Sequence, residues 1–273
     1  MKASSFTRPP GKRFHLAKLD PGSTGKLDSK EKSLPLLEKN LERLWSLQNR
    51  LFAGGKHGLL VVLQAMDGGG KDGTIRTVMG AFSPQGVAVT PFKVPTEEER
   101  AHDFLWRIHK VAPAKGLVGI FNRSHYEDVL VVRVKGLAPE EVWRRRYEQI
   151  NAFEQLLAET GTKIVKLYLH ISPEEQARRL ADRQQDPDEH WKFNPGDLED
   201  RKLWPQYMAA YEDALSLCNT PWAPWYAVPA DRKWYRNLVV SEILVEALES
   251  LHLEFPKPDG DLTAYKIPKI KWP

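Results

Sequence analysis

The chain has 273 residues, 41% hydrophobic and 28% charged, with a formal net charge of +4 and a pI near 9.0. That composition describes a globular α/β-sized domain with its own core, and no apolar run approaches the roughly 20 residues that would span a bilayer. The single cysteine, Cys218, excludes an internal disulfide and is expected to pack rather than react.

The mild basicity permits a polyanionic partner without demonstrating one. The opening Met-Lys-Ala-Ser-Ser-Phe-Thr-Arg lacks the apolar stretch of a signal peptide. Together with the lone cysteine, this leads us to expect a cytoplasmic protein.

Residues 1–34 are rich in Pro, Gly, Ser and Lys and read as an irregular arm. Leucines at 36, 37, 41, 44, 47 and 51 predict a helix over 35–53. Leu59 to Ala65 is an unbroken apolar run, expected as a strand buried on both faces. Gly68, Gly69 and Gly70 follow, then Lys71, then a helix from about Gly73 to Phe82. Val87 to Phe92 reads as a second strand. Thr96 with Glu99 forms a capping box that opens a helix through about His109. Gly116 to Phe121 is a third buried strand, followed by the polar run Asn122-Arg123-Ser124-His125-Tyr126-Glu127-Asp128.

From Pro139 a long amphipathic helix extends to near Gly161, and Ile164 to Leu169 is the fourth strand. Ser172-Pro173-Glu174-Glu175 starts a helix reaching Gln185. A polar connection over 186–197 leads to a helix from Leu198 to Leu217. Trp225 to Val228 is a fifth strand, and Arg232 to Leu251 the last helix, before a Lys/Pro-rich tail over 256–273. Alternating strands and helices predict an α/β protein, a single three-layer α/β/α domain over 35–255 with a parallel five-stranded sheet.

Strand, glycines, lysine and helix in that order have the architecture of a phosphate-binding loop. The glycines let backbone N–H groups close around phosphate oxygens, and the helix start favours anions. Lys71 supplies a point charge for the phosphate being moved. The fit to G-x-x-x-x-G-K-[ST] is imperfect, because Ala65 stands at the first glycine and Asp72 at the Ser/Thr. Asp67 and Asp72 flanking Lys71 suggest a magnesium-rich, strongly anionic substrate. Asp67 is placed to hold Mg²⁺ directly or through water, Gly73 completes the loop, and Asp72 and Thr74 are candidates either for ligand contact or for helix capping.

The polar run after the third strand lies where open α/β sheets bind ligands. Arg123 can take a phosphate bidentately, and Glu127 and Asp128 can serve Mg²⁺ or a substrate group, or simply the dipole of a first helical turn. Arg178, Arg179, Arg183, Lys192 and Arg201 cluster over two helices, as in a mobile lid over about 174–205 that closes basic side chains on phosphates. For each of them singly, a charged helix face is the alternative. His102, Trp106 and His109 have poor zinc spacing and are expected to pack against the sheet, and Arg144-Arg145-Arg146 reads as a solvated helix stripe.

Asp67-Gly-Gly-Gly-Lys-Asp-Gly-Thr74, Val94-Pro-Thr-Glu-Glu-Glu-Arg100, Phe104-Leu-Trp-Arg-Ile-His109 and Phe121-Asn-Arg-Ser-His-Tyr-Glu-Asp-Val129 resemble the polyphosphate kinase 2 family. So do His170-Ile-Ser-Pro-Glu-Glu-Gln176, Trp191-Lys-Phe193 and Ala223-Pro-Trp-Tyr226, and the resemblance covers residues 35–255. It implies a P-loop-kinase-like fold with a helical lid. The activity it implies is reversible, Mg²⁺-dependent phosphoryl transfer between inorganic polyphosphate and AMP or ADP. It puts Lys71 and Arg123 on phosphates, Asp67 on Mg²⁺ with Asp128 as helper, and Arg178 or Arg183 in the role of lid arginine. Asn122, where many ADP-type members carry Asp, is similar to the subclass accepting both nucleotides. Gly68 departs from the alanine of many members.

Apolar and aromatic residues in the later helices suggest a homo-oligomer, a dimer or tetramer; no nucleic acid or membrane partner is expected. Two other readings remain at this point. One is an ATP-dependent nucleotide kinase, against which Ala65 and Asp72 count. The other is a polyanion-binding module, which leaves the acids around Lys71 unexplained.

Overall fold

The computed structural model of the chain describes residues 2–270; Met1 of the expected arm and the last three residues of the expected tail lie outside them. Helix α1 spans Lys30–Gly54. It starts earlier than the sequence suggested, because Ser29 accepts from the Lys32 N–H and caps it there. Pro35 falls inside its second turn and removes one i→i−4 hydrogen bond there. Strand β1 (Gly58–Gln64) leads through the glycine loop to α2 (Lys71–Thr77), which tightens into a 3-10 turn at Met79–Ala81. Strand β2 is Val87–Pro91.

The helix expected over 96–109 is two pieces, α3 (Glu97–Ala101) and α4 (Trp106–His109). The capping box of Thr96 and Glu99 is present. The chain then extends at His102, and Asp103 Oδ1 accepts from the Leu105 N–H at 2.9 Å, nucleating a new turn. Strand β3 is Val118–Asn122, followed by a 3-10 turn at His125–Asp128 and a short α5 at Val131–Val134 that the sequence reading did not anticipate. Helix α6 (Glu140–Glu159), β4 (Thr162–His170) and α7 (Pro173–Gln185) come next. The helix expected over 198–217 is also two, α8 (Pro195–Lys202) and α9 (Trp204–Leu217). Asn194 caps the first, and Pro205, with no N–H to donate, forces a new start at the second. Strand β5 (Trp225–Pro229) and α10 (Lys233–Glu249) complete the fold.

The five strands run parallel in the order β2-β3-β1-β4-β5. Central β1 is flanked on both sides, with Val61 opposite Ile120 of β3 and Val165 of β4. Its seven residues are all buried, so both faces of the sheet are covered, as the α/β/α expectation required. Helices α1 and α10 pack together, with Asn40 Nδ2 donating to Ser241 Oγ at 3.1 Å. The described residues ahead of α1 hold only 3-10 turns, yet Phe14 and Leu16 are buried. The Phe14 N–H donates to Ser216 Oγ and the Leu16 N–H to Glu212 Oε2, each at 3.0 Å, tying this segment along α9.

The chain leaving β1 crosses to the β2 edge and that leaving β4 goes to β5. Their loops diverge at the carboxyl ends of the strands, a topological switch point where such sheets bind ligands. The glycine loop and Asn122-Arg123 both emerge there.

Candidate active site

The loop from Ala65 to Gly70 folds tightly because its glycines permit it. Gly70 has φ +98°, a conformation side chains rarely adopt. At Gly69 a Cβ would stand 2.6 Å from the Ala65 Cβ and 2.8 Å from the Met66 carbonyl oxygen. The loop is braced from outside by α7: Gln176 Nε2 donates to the Asp67 carbonyl at 2.8 Å and Arg179 Nη1 to the Gly68 carbonyl at 2.9 Å. Arg179 also donates to the Ala230 carbonyl at 2.6 Å and to Glu175 Oε1 at 2.7 Å. It is a buried tie between loop, α7 and the end of β5 rather than a free lid cation.

Lys71 begins α2 and is 9% exposed. Its Nζ donates to the Ala65 carbonyl at 2.9 Å and lies 3.7 Å from Asp67 Oδ1. Burial pushes its pKa below the ordinary lysine value, against the pull of Asp67. Arg123 takes a left-handed backbone, φ +65°, at the end of β3. That is an uncommon conformation for a residue with a side chain, of the kind that collects at functional sites. Its Nη2 donates to Asp67 Oδ1 at 2.5 Å and its Nη1 lies 3.7 Å from Glu127 Oε2. Burial raises the pKa of Asp67, but Lys71 and Arg123 outweigh it and hold the carboxyl below its usual range. Glu127 goes the other way, its pKa raised by burial despite Arg123 and Lys71.

Asn122 Nδ2 donates to Asp72 Oδ1 at 2.7 Å. Thr74 is turned inward, its hydroxyl donating to the Gly70 carbonyl at 3.0 Å, so it stabilises the first turn of α2. Gly73 lies on that turn, against Arg236.

Of the two candidate lid arginines, the structure brings Arg183 to the site. Its charge acts on Asp67, and its Nη1 lies 3.6 Å from Asp197 Oδ2. Arg178 is 56% exposed in its side chain and closed into surface pairs with Glu175 and Asp182. Lys192 pairs with Glu189 at 2.5 Å, and its ammonium also lies over the Trp191 ring. Arg201 braces α7, donating to Gln176 Oε1 at 2.8 Å.

Asp128 pairs with a residue of α6. Its Oδ1 accepts from Arg146 Nη1 at 3.0 Å, and the charges acting on it are Arg146, Arg107 and His125, with burial raising its pKa. It belongs to an ion pair with Arg146 beside the site. Arg146 is thereby a partner of Asp128 rather than part of a solvated stripe. His102 and Trp106 do not pack against the sheet either: they stack on each other at the surface, 4.1 Å between ring centroids, with Lys110 over the indole.

Sequence reasoning missed Asp197 and Arg236. Asp197 on α8 is buried at 8% exposure. Burial and the neighbouring Asp67 push its pKa up to about 6, against Arg183, Arg123 and Lys71. Its signal was faint, a single acid two residues after the helix-starting Asn194-Pro195. Arg236 lies in α10, a helix buried on nearly every face; an arginine in such a helix was a readable signal.

Beneath the site, β4 and α6 hold the segment that carries Arg123 and Glu127. Lys166 is fully buried and donates to Glu154 Oε2 at 2.6 Å, to the Tyr126 hydroxyl at 2.8 Å and to the Cys218 carbonyl at 2.6 Å. His125 and Tyr126 both reach Glu154 Oε1. Cys218 packs as expected, its thiol pushed up to about 12 by burial.

Asp67, Glu127 and Asp197 thus alternate with Lys71, Arg123 and Arg183 around a glycine loop at the carboxyl end of a parallel sheet. Fold and site together define a phosphate-loop phosphotransferase. Comparison with known proteins narrows this. Residues 26–256 match the family described as Polyphosphate kinase 2 (PPK2), and the chain belongs to that family. It is 53% identical to an AMP/ADP-polyphosphate phosphotransferase of Meiothermus ruber over 92% of this chain and 94% of the relative. It is 42% identical to an ADP-polyphosphate phosphotransferase of Rhodopseudomonas palustris over 94% and 93%. The crystal structure of Polyphosphate Kinase 2 from Arthrobacter aurescens TC1 superposes with a TM-score of 0.93 at 47% identity, covering 97% of this chain and 95% of that one.

Proposed function

We propose that this protein transfers a phosphoryl group from inorganic polyphosphate to AMP and ADP, giving ADP and ATP, by direct and reversible displacement. The observation that carries this reading is the convergence of Lys71, Arg123 and Arg183 on the single carboxylate of Asp67. Asp67, Glu127 and Asp197 hold these cations in place beside the glycine loop, and a divalent cation on the acids would leave the cations for a polyanion. As phosphates enter the loop, they take over as partners of Lys71 and Arg123, which now bond the Ala65 carbonyl and Asp67. The transition state spreads charge over the equatorial oxygens, so positioning and cations supply most of the catalysis. No covalent enzyme intermediate is required. A nucleotide phosphate is already anionic near neutral pH, so no strong general base is required either.

Magnesium suits the donors present. Asp67 and Glu127 offer hard oxygens beside the loop, and among the described residues no cluster of His, Cys, Asp and Glu forms a protein-only cage. Magnesium is commonly held by one or two carboxylates together with substrate phosphates. Bound there, it would neutralise phosphate charge and orient the transferring group. Asp67 is the residue we assign to it, with Glu127 in the helping role first given to Asp128.

Acceptance of both AMP and ADP rests on Asn122 and on the name of the Meiothermus relative. A single cysteine in the sequence suits a reducing cytoplasm, the compartment we propose; among the described residues no helix is long and apolar enough to cross a membrane. Exposed Trp45 and Phe52 on α1 support assembly with further copies. The test is to incubate the pure protein with Mg²⁺, polyphosphate and AMP, without ATP, and to follow nucleotides by chromatography. ADP and then ATP should appear; ATP from ADP but nothing from AMP would restrict the enzyme to ADP, and no product from either would overturn the reading.

A further inference from the structure

Arg236 lies in the first turns of α10 and is 2% exposed. Its Nε and Nη2 donate to a single acceptor, Asn237 Oδ1, at 3.1 and 2.8 Å. Among the described residues no carboxylate pairs with it, and the charge that acts on it is the like-signed Arg179. Burial, reinforced by Arg179, pushes its pKa down to about 9. A buried guanidinium without a counter-charge burdens the fold that contains it.

Its position shows where a counter-charge would count. A Cβ built on Gly70 would stand 1.9 Å from Arg236 Nη1, and one built on Gly73 would stand 3.3 Å from Nη2. The guanidinium therefore lies against the backbone that ends the phosphate loop and opens α2. Arg179 reaches the same place, with its Nη1 3.4 Å from the built Gly70 Cβ. The two differ in compensation: Arg179 has Glu175 and the Gly68, Ala230 and Asp231 carbonyls, while Arg236 has one amide oxygen.

We infer that Arg236 is a positioning residue for the phosphate loop, whose charge is compensated by the phosphates held on the other side of Gly68–Gly70. It stabilises the loaded loop at the expense of the empty fold. This rests on the phosphoryl-transfer reading above. A purely structural arginine would have the opposite balance, because its removal would weaken the empty protein.

The experiment compares wild type, Arg236→Met and Arg236→Lys by thermal melting, with and without tripolyphosphate and Mg²⁺, and by steady-state kinetics. Arg236→Met should melt at or above wild type when empty. Its ligand-induced rise in Tm should fall below half of the wild-type rise, and its KM for polyphosphate should increase by about tenfold, equivalent to about 1.4 kcal/mol. Arg236→Lys, which keeps the charge, should retain most of the rise. An Arg236→Met protein that fails to fold or melts well below wild type when empty would overturn the inference. So would an unchanged rise and KM, or a Lys variant as impaired as the Met variant. If wild type itself shows neither a rise nor turnover, the phosphoryl-transfer reading fails and takes the inference with it; a wild-type rise shared in full by Arg236→Met sinks the inference alone.

Discussion

Asn122 Nδ2 donates to Asp72 Oδ1 across 2.7 Å, joining the end of β3 to the first turn of α2. The contact gives Asp72 a neutral partner, whereas Asp67 on the same loop meets the cations Lys71 and Arg123. It also fixes Asn122 next to Arg123, whose left-handed backbone swings its guanidinium to Asp67.

Replacing that donor with an acceptor should change which nucleotide is preferred. In Asn122→Asp two carboxylates would meet where one hydrogen bond stands, and repulsion would part β3 from the first turn of α2. The ratio of kcat/KM for AMP over ADP should shift by about tenfold or more, equivalent to about 1.4 kcal/mol. The same ratio in both proteins would remove Asn122 from substrate selection.

The lid arginines should separate cleanly. Arg183 reaches the charges around Asp67, whereas Arg178 is spent on Glu175 and Asp182 at the surface. Arg183→Ala should lower kcat by about 10²-fold or more, the scale of losing one transition-state donor. Arg178→Ala should stay close to wild type, as exposed ion pairs contribute little. Steady-state rates on ADP and polyphosphate decide this; equal losses in the two variants would refute the assignment.

Asp197 should make stability depend on pH. Its pKa is pushed from 3.8 up to about 6 by burial and by Asp67. A carboxyl that holds its proton more tightly when folded stabilises the fold fully below its unfolded pKa, and that stabilisation is lost as pH rises through its folded pKa. Asp197→Asn does not titrate, so its Tm relative to wild type should climb between pH 4 and about pH 6 and level off above, because folding moves the group's pKa from 3.8 to about 6. A difference that is flat with pH would contradict the burial of this group.

Lys166 and Glu154 are both fully buried, 2.6 Å apart. Lys166→Met strands Glu154 as an uncompensated buried charge, at a cost of about 3–5 kcal/mol. Lys166→Met combined with Glu154→Gln should recover much of it, as measured by urea denaturation. Additive losses in the double variant would show that the two do not act as a pair.

The glycine loop was legible in the sequence because every part of it is local: the apolar strand, the three glycines and Lys71 adjoin one another. Arg123 and Glu127 were legible from their place after a buried strand, since strand ends in parallel sheets are where ligands sit. What escaped depends on distant segments meeting. Asp197 faces Arg183 and Arg236 faces Gly70 only once α8 and α10 fold back on the loop. The different partners of Glu127 and Asp128 were hidden for a related reason. Glu127 turns to Arg123 and Asp128 itself to Arg146, a choice set by the 3-10 turn at His125–Asp128. The two split helices were marked by Asp103 and Pro205, whose local chemistry overrode the longer helical pattern.

Lys71 is the residue we propose to hold the phosphoryl group in transit. Its most direct test is Lys71→Ala, assayed with Mg²⁺, polyphosphate and ADP after circular dichroism and thermal melting have confirmed an intact fold. On this assignment we expect a folded protein with ATP formation essentially abolished. A folded Lys71→Ala protein that makes ATP at a near-normal rate would contradict it and remove Lys71 from the mechanism.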